Sequence, residues 1–279
     1  MIKTNCVPFP TIAETLKDRF SLSELSLRPF GHCPEDREVN FARPSRPYLE
    51  VEILECCTDD RQGAKPDSRF FWNLAVSKRI ECLLTLATIE DSDVFMIPLR
   101  CLNLECQEGI EIDFSIEELR KLSSAETEST RLLIGDRSVR IRRPTGLDQL
   151  QWLQSSFSDE RSLTQAMLET LVIEEDREQL DSKAIAQGDW IPAFNRIMDR
   201  LDPLVNFQVR VQCPYCNTQN SHSIDLGAWA LQRLRQIQQQ LFDLVHRLAS
   251  HYHWHEAEIL AIPAWRREFY LARIEREAR

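Results

Sequence analysis

Glycine is scarce in this chain, with seven in 279 residues. Phosphate-cradling loops need backbone positions that only glycine adopts readily, so the composition argues against nucleotide-binding folds built on such loops. Long apolar runs are missing too. None approaches the roughly 18 residues of a membrane-spanning helix. Residues 1–20 lack an apolar stretch after Lys3, so neither a signal peptide nor a transit peptide is expected, and the expected location is cytoplasmic. The sequence has no G-x-S-x-G, H-E-x-x-H, Walker loop or dinucleotide fingerprint. No pair of carboxylates stands out either, so the expectation is a protein that is not an enzyme and has no small-molecule substrate. Positive charge is also short. The net charge of −10 argues against coating nucleic acid or an anionic membrane. Lysine is absent from residue 226 onward. That segment holds 8 Arg against 6 Asp plus Glu, so its net charge is +2 while residues 1–225 carry −12.

What is present points to an α+β, helix-rich fold. Residues 1–47 are broken up by Pro8, Pro10, Pro29, Pro34, Pro44 and Pro47 and read as an N-terminal extension, with a short helix over 12–20. Alternation of Leu49, Val51 and Ile53 predicts a strand over 48–54. A helix over 70–88 carries Trp72, Val76, Ile80, Leu83, Leu84 and Ala87 on one face. Strands follow over 94–101 and 110–114, and Ser115 with Glu118 opens a helix by a capping box. A hairpin over 132–141 turns at Gly135-Asp136. Residues 146–205 form a helical insertion, with Trp152, Met167, Leu171, Trp190, Phe194 and Ile197 as core. A strand over 207–211 precedes the longest helix. Its apolar positions Ala230, Leu234, Ile237, Leu241, Leu244 and Leu248 are spaced four and three apart, a seam suited to a bundle or coiled coil. The helix should break near His253–255, and Pro263 should open the last one. This divides the chain into an extension (1–47), a zinc-closed α+β domain (48–225) and a C-terminal helical arm (226–279).

Nine cysteines in a cytosolic chain read as thiols or metal ligands. Two pairs have metal-ligand spacing: Cys101 and Cys106 as C-x4-C, Cys213 and Cys216 as C-x2-C. Each pair follows a strand and precedes a polar turn, a strand ending Ile-Asp-apolar, and a helix. This internal repeat is what two half-sites facing one ion would require. Zinc takes four thiolates as a tetrahedron with bonds of about 2.3 Å, and four cysteines leave no open position, so a structural Zn²⁺ site is expected. Its binding would contribute on the order of 10 kcal/mol to folding. Cys82 reads as a buried small hydrophobe.

Cys213-Pro214-Tyr215-Cys216 is also a thiol-oxidoreductase motif, but that chemistry wants the first cysteine at a helix N-terminus. Here a polar turn follows, and the helix starts only near Asp225. His222 is a weaker alternative ligand because of its offset from Cys216. His251, His253 and His255 alternate around Trp254, a pattern that could hold metal only if extended, whereas the flanks look helical. Arg137, Arg140, Arg142 and Arg143 cluster on the hairpin, where opposing acidic groups are the commoner reason for such a cluster. A zinc-ribbon nucleic-acid binder is the alternative function this cluster keeps open.

Several motifs carry a family resemblance when read in order. They are Arg143-Pro144-Thr145-Gly146-Leu147-Asp148, Asp202-Pro203, Val211-Gln212-Cys213-Pro214-Tyr215-Cys216 and Ile224-Asp225-Leu226. The tail His253-Trp254-His255-Glu256-Ala257-Glu258-Ile259-Leu260, with Pro263, Arg266, Arg267 and Tyr270, completes the series. Over residues 90–279 the chain resembles the baseplate hub assembly chaperones of T-even-type phages and their relatives in phage-tail-like contractile injection systems. The resemblance implies a non-enzymatic role in building a baseplate, with hub or spike proteins as partners, in the cytoplasm or in an assembled particle.

Overall fold

The computed structural model describes residues 6–22, 24–60, 63–89, 94–123, 129–180 and 182–277. The fold is mixed, helix-rich, with small antiparallel sheets. The N-terminal stretch is β1 (Val7–Pro8), α1 (Glu14–Phe20), β2 (Leu25–Leu27) and α2 (Pro34–Glu38). It packs on the body: Ile12, Leu27, Phe30 and Val39 are core residues. The strand expected over 48–54 is instead a helix, α3 (Arg46–Cys57), opened by Pro47 in its first turn. It is buried nearly all round, at Leu49, Glu50, Val51, Ile53, Leu54 and Cys57. Its outer stripe of Tyr48, Glu52 and Glu55 is narrow and the polar Glu50 is buried, so the 3.6-residue periodicity is weak, and the chance alternation of Leu49, Val51 and Ile53 mimics a strand.

β3 (Thr58–Asp60) pairs with β2. The helix expected over 70–88 is two, α4 (Ser68–Asn73) and α5 (Val76–Thr88). They part at Leu74-Ala75 because another segment docks there. The Val76 N–H donates to the Pro144 carbonyl at 2.9 Å, and the Gly146 N–H to the Leu74 carbonyl at 3.2 Å. Thr145 caps α7 (Gly146–Gln154) through a capping box with Asp148. Arg142 grips the Asp148 carboxylate with two bonds of 2.6 and 2.8 Å.

The hairpin of β6 (Ser129–Ile134) and β7 (Arg137–Arg142) turns at Gly135, whose φ is +59°. With α8 (Glu160–Leu171) and α10 (Ile191–Leu201) it encloses a second core around Leu132, Val139, Leu171, Trp190 and Phe194. A 3-10 turn at Glu174–Gln179 and α9 (Ser182–Gln187) lie between those helices. Two of the four clustered arginines face acid, Arg140 with Asp176 at 3.0 Å and Arg142 with Asp148, while Arg137 donates to the Gln179 carbonyl at 3.3 Å.

The longest helix is α11 (Leu226–Tyr252), followed by α12 (Glu256–Ala261) and α13 (Ala264–Glu277). Its seam is covered only in part within the chain, with Ile237, Leu241 and Leu244 half-buried. Ala230 and Leu234 are buried on the side that packs on α5, and Leu248 is buried toward α12 and α13. Buried Gln238 reaches the carbonyls of Asp36 and Val39, each at 3.0 Å, and satisfies the open end of α2. At the break, His253 has φ +57°, Tyr252 stacks on Trp254 at 4.6 Å, and Tyr270 packs edge-on against both. Among the described residues no helix is long and apolar enough to cross a membrane.

Candidate metal centre

Two hairpins carry the four cysteines at their tips. β4 (Val94–Arg100) pairs with β5 (Gly109–Ser115), and β8 (Phe207–Gln212) pairs with β9 (Gln219–Ile224), in separate antiparallel sheets. β5 runs into α6 (Ile116–Ser123) as β9 runs into α11. The Ser115 hydroxyl accepts from the Glu117 N–H at 3.2 Å, and Glu118 accepts from the Ser115 N–H at 3.4 Å. Phe95, Phe114 and Phe207 interlock at 5.8 and 5.5 Å between the hairpins.

The repeat read from the sequence extends to the backbone. The Cys101 N–H donates to the Glu108 carbonyl, and the Cys213 N–H to the Thr218 carbonyl, each at 2.9 Å. Both loops then turn through a left-handed residue directly after the second cysteine, Gln107 at φ +51° and Asn217 at φ +58°. In each pair the first cysteine is buried and the second half-buried. A floor of Leu99, Ile110, Ile112 and Val211 lies beneath them.

All four sulfurs lie within 4.8 Å of one another. Cys101 Sγ is 3.5 Å from Cys216 Sγ, and Cys106 Sγ is 3.8 Å from Cys213 Sγ, so the nearest contacts run between hairpins. A disulfide would need about 2.05 Å. Four thiolates about 2.3 Å from one ion sit about 3.8 Å apart on the edges of a tetrahedron, which is the spacing found. The four cysteines can therefore hold a metal ion. The backbone is aimed to receive negative sulfur, because the N–H groups of Asn103, Glu108 and Thr218 each act on the cysteine two residues upstream. Hydrogen bonding with the Thr218 side chain, whose Oγ1 lies 3.3 Å from the Cys216 sulfur, and with the Thr218 backbone holds the Cys216 thiol down at about 6. At Cys106 the Glu108 N–H lowers the thiol, but burial and the three neighbouring thiols prevail and push it up to about 12.

One contributor was not expected from the sequence. Asn220, 2% exposed, accepts from the Leu102 N–H at 2.7 Å and donates to the Thr218 carbonyl at 2.8 Å, fastening one loop to the other. Nothing in the polar run 217–221 distinguishes it from its neighbours. Asn103 adds a longer link to Thr218 at 3.4 Å.

The other candidates do not join. Among the described residues the four cysteines are the one group of three or more such ligands close enough to share an ion. His222 lies within β9, opposite Val209. His251 faces Glu277 at 3.4 Å, while His253 ends α11 and His255 caps α12. Cys213 sits on a hairpin tip rather than a helix N-terminus, which removes the setting a redox Cys-x-x-Cys pair requires. Comparison with protein-family models, curated proteins and solved structures gives no match for this chain.

Proposed function

We propose that this protein is a non-enzymatic assembly or structural component of the baseplate of a contractile, phage-tail-like injection system, with a structural Zn²⁺ at Cys101, Cys106, Cys213 and Cys216. The closed set of four sulfurs supports a structural role for the ion. It leaves no position for substrate or water, and all-thiolate tetrahedral sites suit zinc.

The family reading rests on the ordered motifs of the sequence, and several of those residues hold the fold together. Thr145-Gly146-Leu147-Asp148 locks α7 into the α4–α5 break, and Asp225 both caps α11 and accepts from Arg46 at 2.8 Å. The arm is the partner-binding element in this reading. The inner face of α13, with Tyr270, Leu271 and Ile274, is half-buried, while Trp265 and Phe269 on its outer face are 69% and 61% exposed beside Arg266, Arg273 and Arg276. Trp and Arg are the residues most often found at the centre of protein interfaces. The partner is a hub or spike protein.

The test is to tag the protein in its native host, purify assembled particles, and measure both its presence and zinc by mass spectrometry. Recovery with tail proteins is expected, and Phe269→Asp should abolish it while the protein stays folded and zinc-loaded. Recovery with nucleic acid in a salt-sensitive manner would instead favour a zinc-ribbon nucleic-acid binder.

A further inference from the structure

The loops that carry the cysteines also turn apolar side chains out to water. Leu104 is 85% exposed, the most of any large apolar side chain among the described residues. Tyr215 and Leu102 are 67% and 59% exposed, and Pro214 is exposed beside Tyr215. Leu102 follows Cys101 and Tyr215 precedes Cys216, the two cysteines whose sulfurs lie 3.5 Å apart, so the apolar residues of both loops gather at one tip. A single exposed leucine means little, but apolar residues grouped on a protruding tip form a patch of the kind that marks an interaction site.

The loop that presents the leucines is braced. The Leu102 N–H donates to Asn220, and the Asn103 side chain accepts from the Glu105 N–H at 3.0 Å. The Asn103 carbonyl accepts from the N–H groups of Cys106 and Gln107, each at 3.0 Å. The Gln107 side chain donates to the Leu104 carbonyl at 3.2 Å. A surface whose backbone is already fixed loses little freedom on binding, which favours association.

The charge around the patch is mostly negative. Glu105 and Glu108 lie on the same loop as Leu104, both exposed, and neither carboxylate has an ion-pair partner among the described residues. Exposed Glu111 and Asp113 continue the acid along β5, opposite Pro98 and Met96. Residues 94–115 thus hold four carboxylates against one cation, Arg100 at the base of the loop. The cation of the second hairpin, Arg210, lies mid-strand opposite Ser221.

We propose that this tip is a docking surface for a polypeptide segment that presents apolar side chains between lysines or arginines. The apolar side chains would cover Leu102, Leu104 and Tyr215, and the cations would meet Glu105 and Glu108. Such charge complementarity sets orientation and excludes partners of the wrong sign. The tip is separate from the outer face of α13, where Trp265 and Phe269 lie among arginines and the opposite charge is favoured. The proposal is independent of the baseplate reading.

Backbone-amide NMR on the full, metal-loaded chain tests it, with two probes: acetyl-Lys-Leu-Lys-Trp-Lys-Leu-amide and its acidic match, acetyl-Glu-Leu-Glu-Trp-Glu-Leu-amide. The basic peptide is expected to move the signals of residues 102–108 and 214–218 and to leave α13 in place. The acidic match should bind the tip at least about tenfold more weakly, because attraction is replaced by repulsion. Leu104→Ser combined with Tyr215→Ser should weaken the basic peptide at least about tenfold through lost apolar contact. Both positions are exposed, so signals from the two cores should not change. Glu105→Gln with Glu108→Gln should erase the preference for the basic peptide. Glu174→Gln with Glu178→Gln removes the same charge from an exposed turn elsewhere and should preserve it. Equal binding of the two peptides at the tip, tip variants that bind as wild type does, or an absence of shifts in the two loops would overturn the proposal.

Discussion

Asn220 carries more of the metal centre than its small side chain suggests. It bridges two loops that otherwise meet through sulfur and the longer Asn103–Thr218 bond, and it is buried, so truncation would leave the Leu102 N–H without its partner, while the Thr218 carbonyl keeps the Cys213 N–H. Asn220→Ala should therefore lower stability by about 2–3 kcal/mol, an unmet buried group adding to a lost bond. Zinc should still bind, but chelator should remove it faster, which a colorimetric release assay would read. Asp202 makes a different prediction. Its folded carboxyl titrates near 6, raised by burial, against about 3.9 in an unfolded chain. Between those values the native state holds a proton that the unfolded state has lost. Its contribution thus falls as pH rises through that window, and the penalty is complete above about 6. The difference in unfolding free energy between Asp202→Asn and wild type should grow by on the order of 3 kcal/mol from pH 4 to pH 7, measured by urea unfolding. A flat difference would show that Asp202 is not held in this way.

Elements in this fold are set partly by local signals and partly by what docks on them. The cysteine pairs, the Gly135 turn, the Ser115 cap and the long helix α11 were legible in the sequence because each depends on neighbours in the chain. α3 was not, because its outer stripe is narrow and the charged Glu50 is buried among apolar residues, which blurs the period. The break between α4 and α5 was not legible either. Leu74-Ala75 contains no glycine or proline, and the interruption comes from residues 144–146, whose backbone claims the freed groups. Gly146 sits at that contact. A Cβ there would lie 3.0 Å from the Trp72 carbonyl and 3.1 Å from both the Trp72 ring and Arg79. Gly146→Ala should therefore destabilise by about 1–3 kcal/mol, the usual cost of overpacking, and lower the urea midpoint without loss of zinc.

At the level of the whole molecule, ion pairs, some buried and some at the surface, brace the first core and the base of α11. Arg28 holds Asp36 through two bonds of 2.7 Å, and the Asp36 carboxylate also accepts from the backbone of Gly31, His32 and Cys33. Arg46 spans from Glu50 at 2.8 Å to Asp225, joining α3 to the base of α11. Glu50 pairs with buried Arg79 at 3.3 Å. These bonds do not involve the four cysteines, whereas the proposed ion would join the hairpin tips. With the ion bound as proposed, a strong chelator should lower the melting temperature sharply, since such an ion would contribute on the order of 10 kcal/mol, and calorimetry should show the transition broaden as the hairpins loosen first. Wild-type-like melting in chelator would count against a structural ion.

The cysteine pairs lie on either side of the second core, and this has a topological consequence. With an ion bound, residues 106–213 become a closed ring, sealed by coordination bonds instead of a disulfide. Closing a loop of that length removes much of the freedom of the unfolded chain, so the second core folds as a tethered unit whose ends are already together. A single peptide-bond cut anywhere in the ring would leave two fragments that still migrate as one particle. They would come apart only when the metal is taken away and the remaining contacts are denatured.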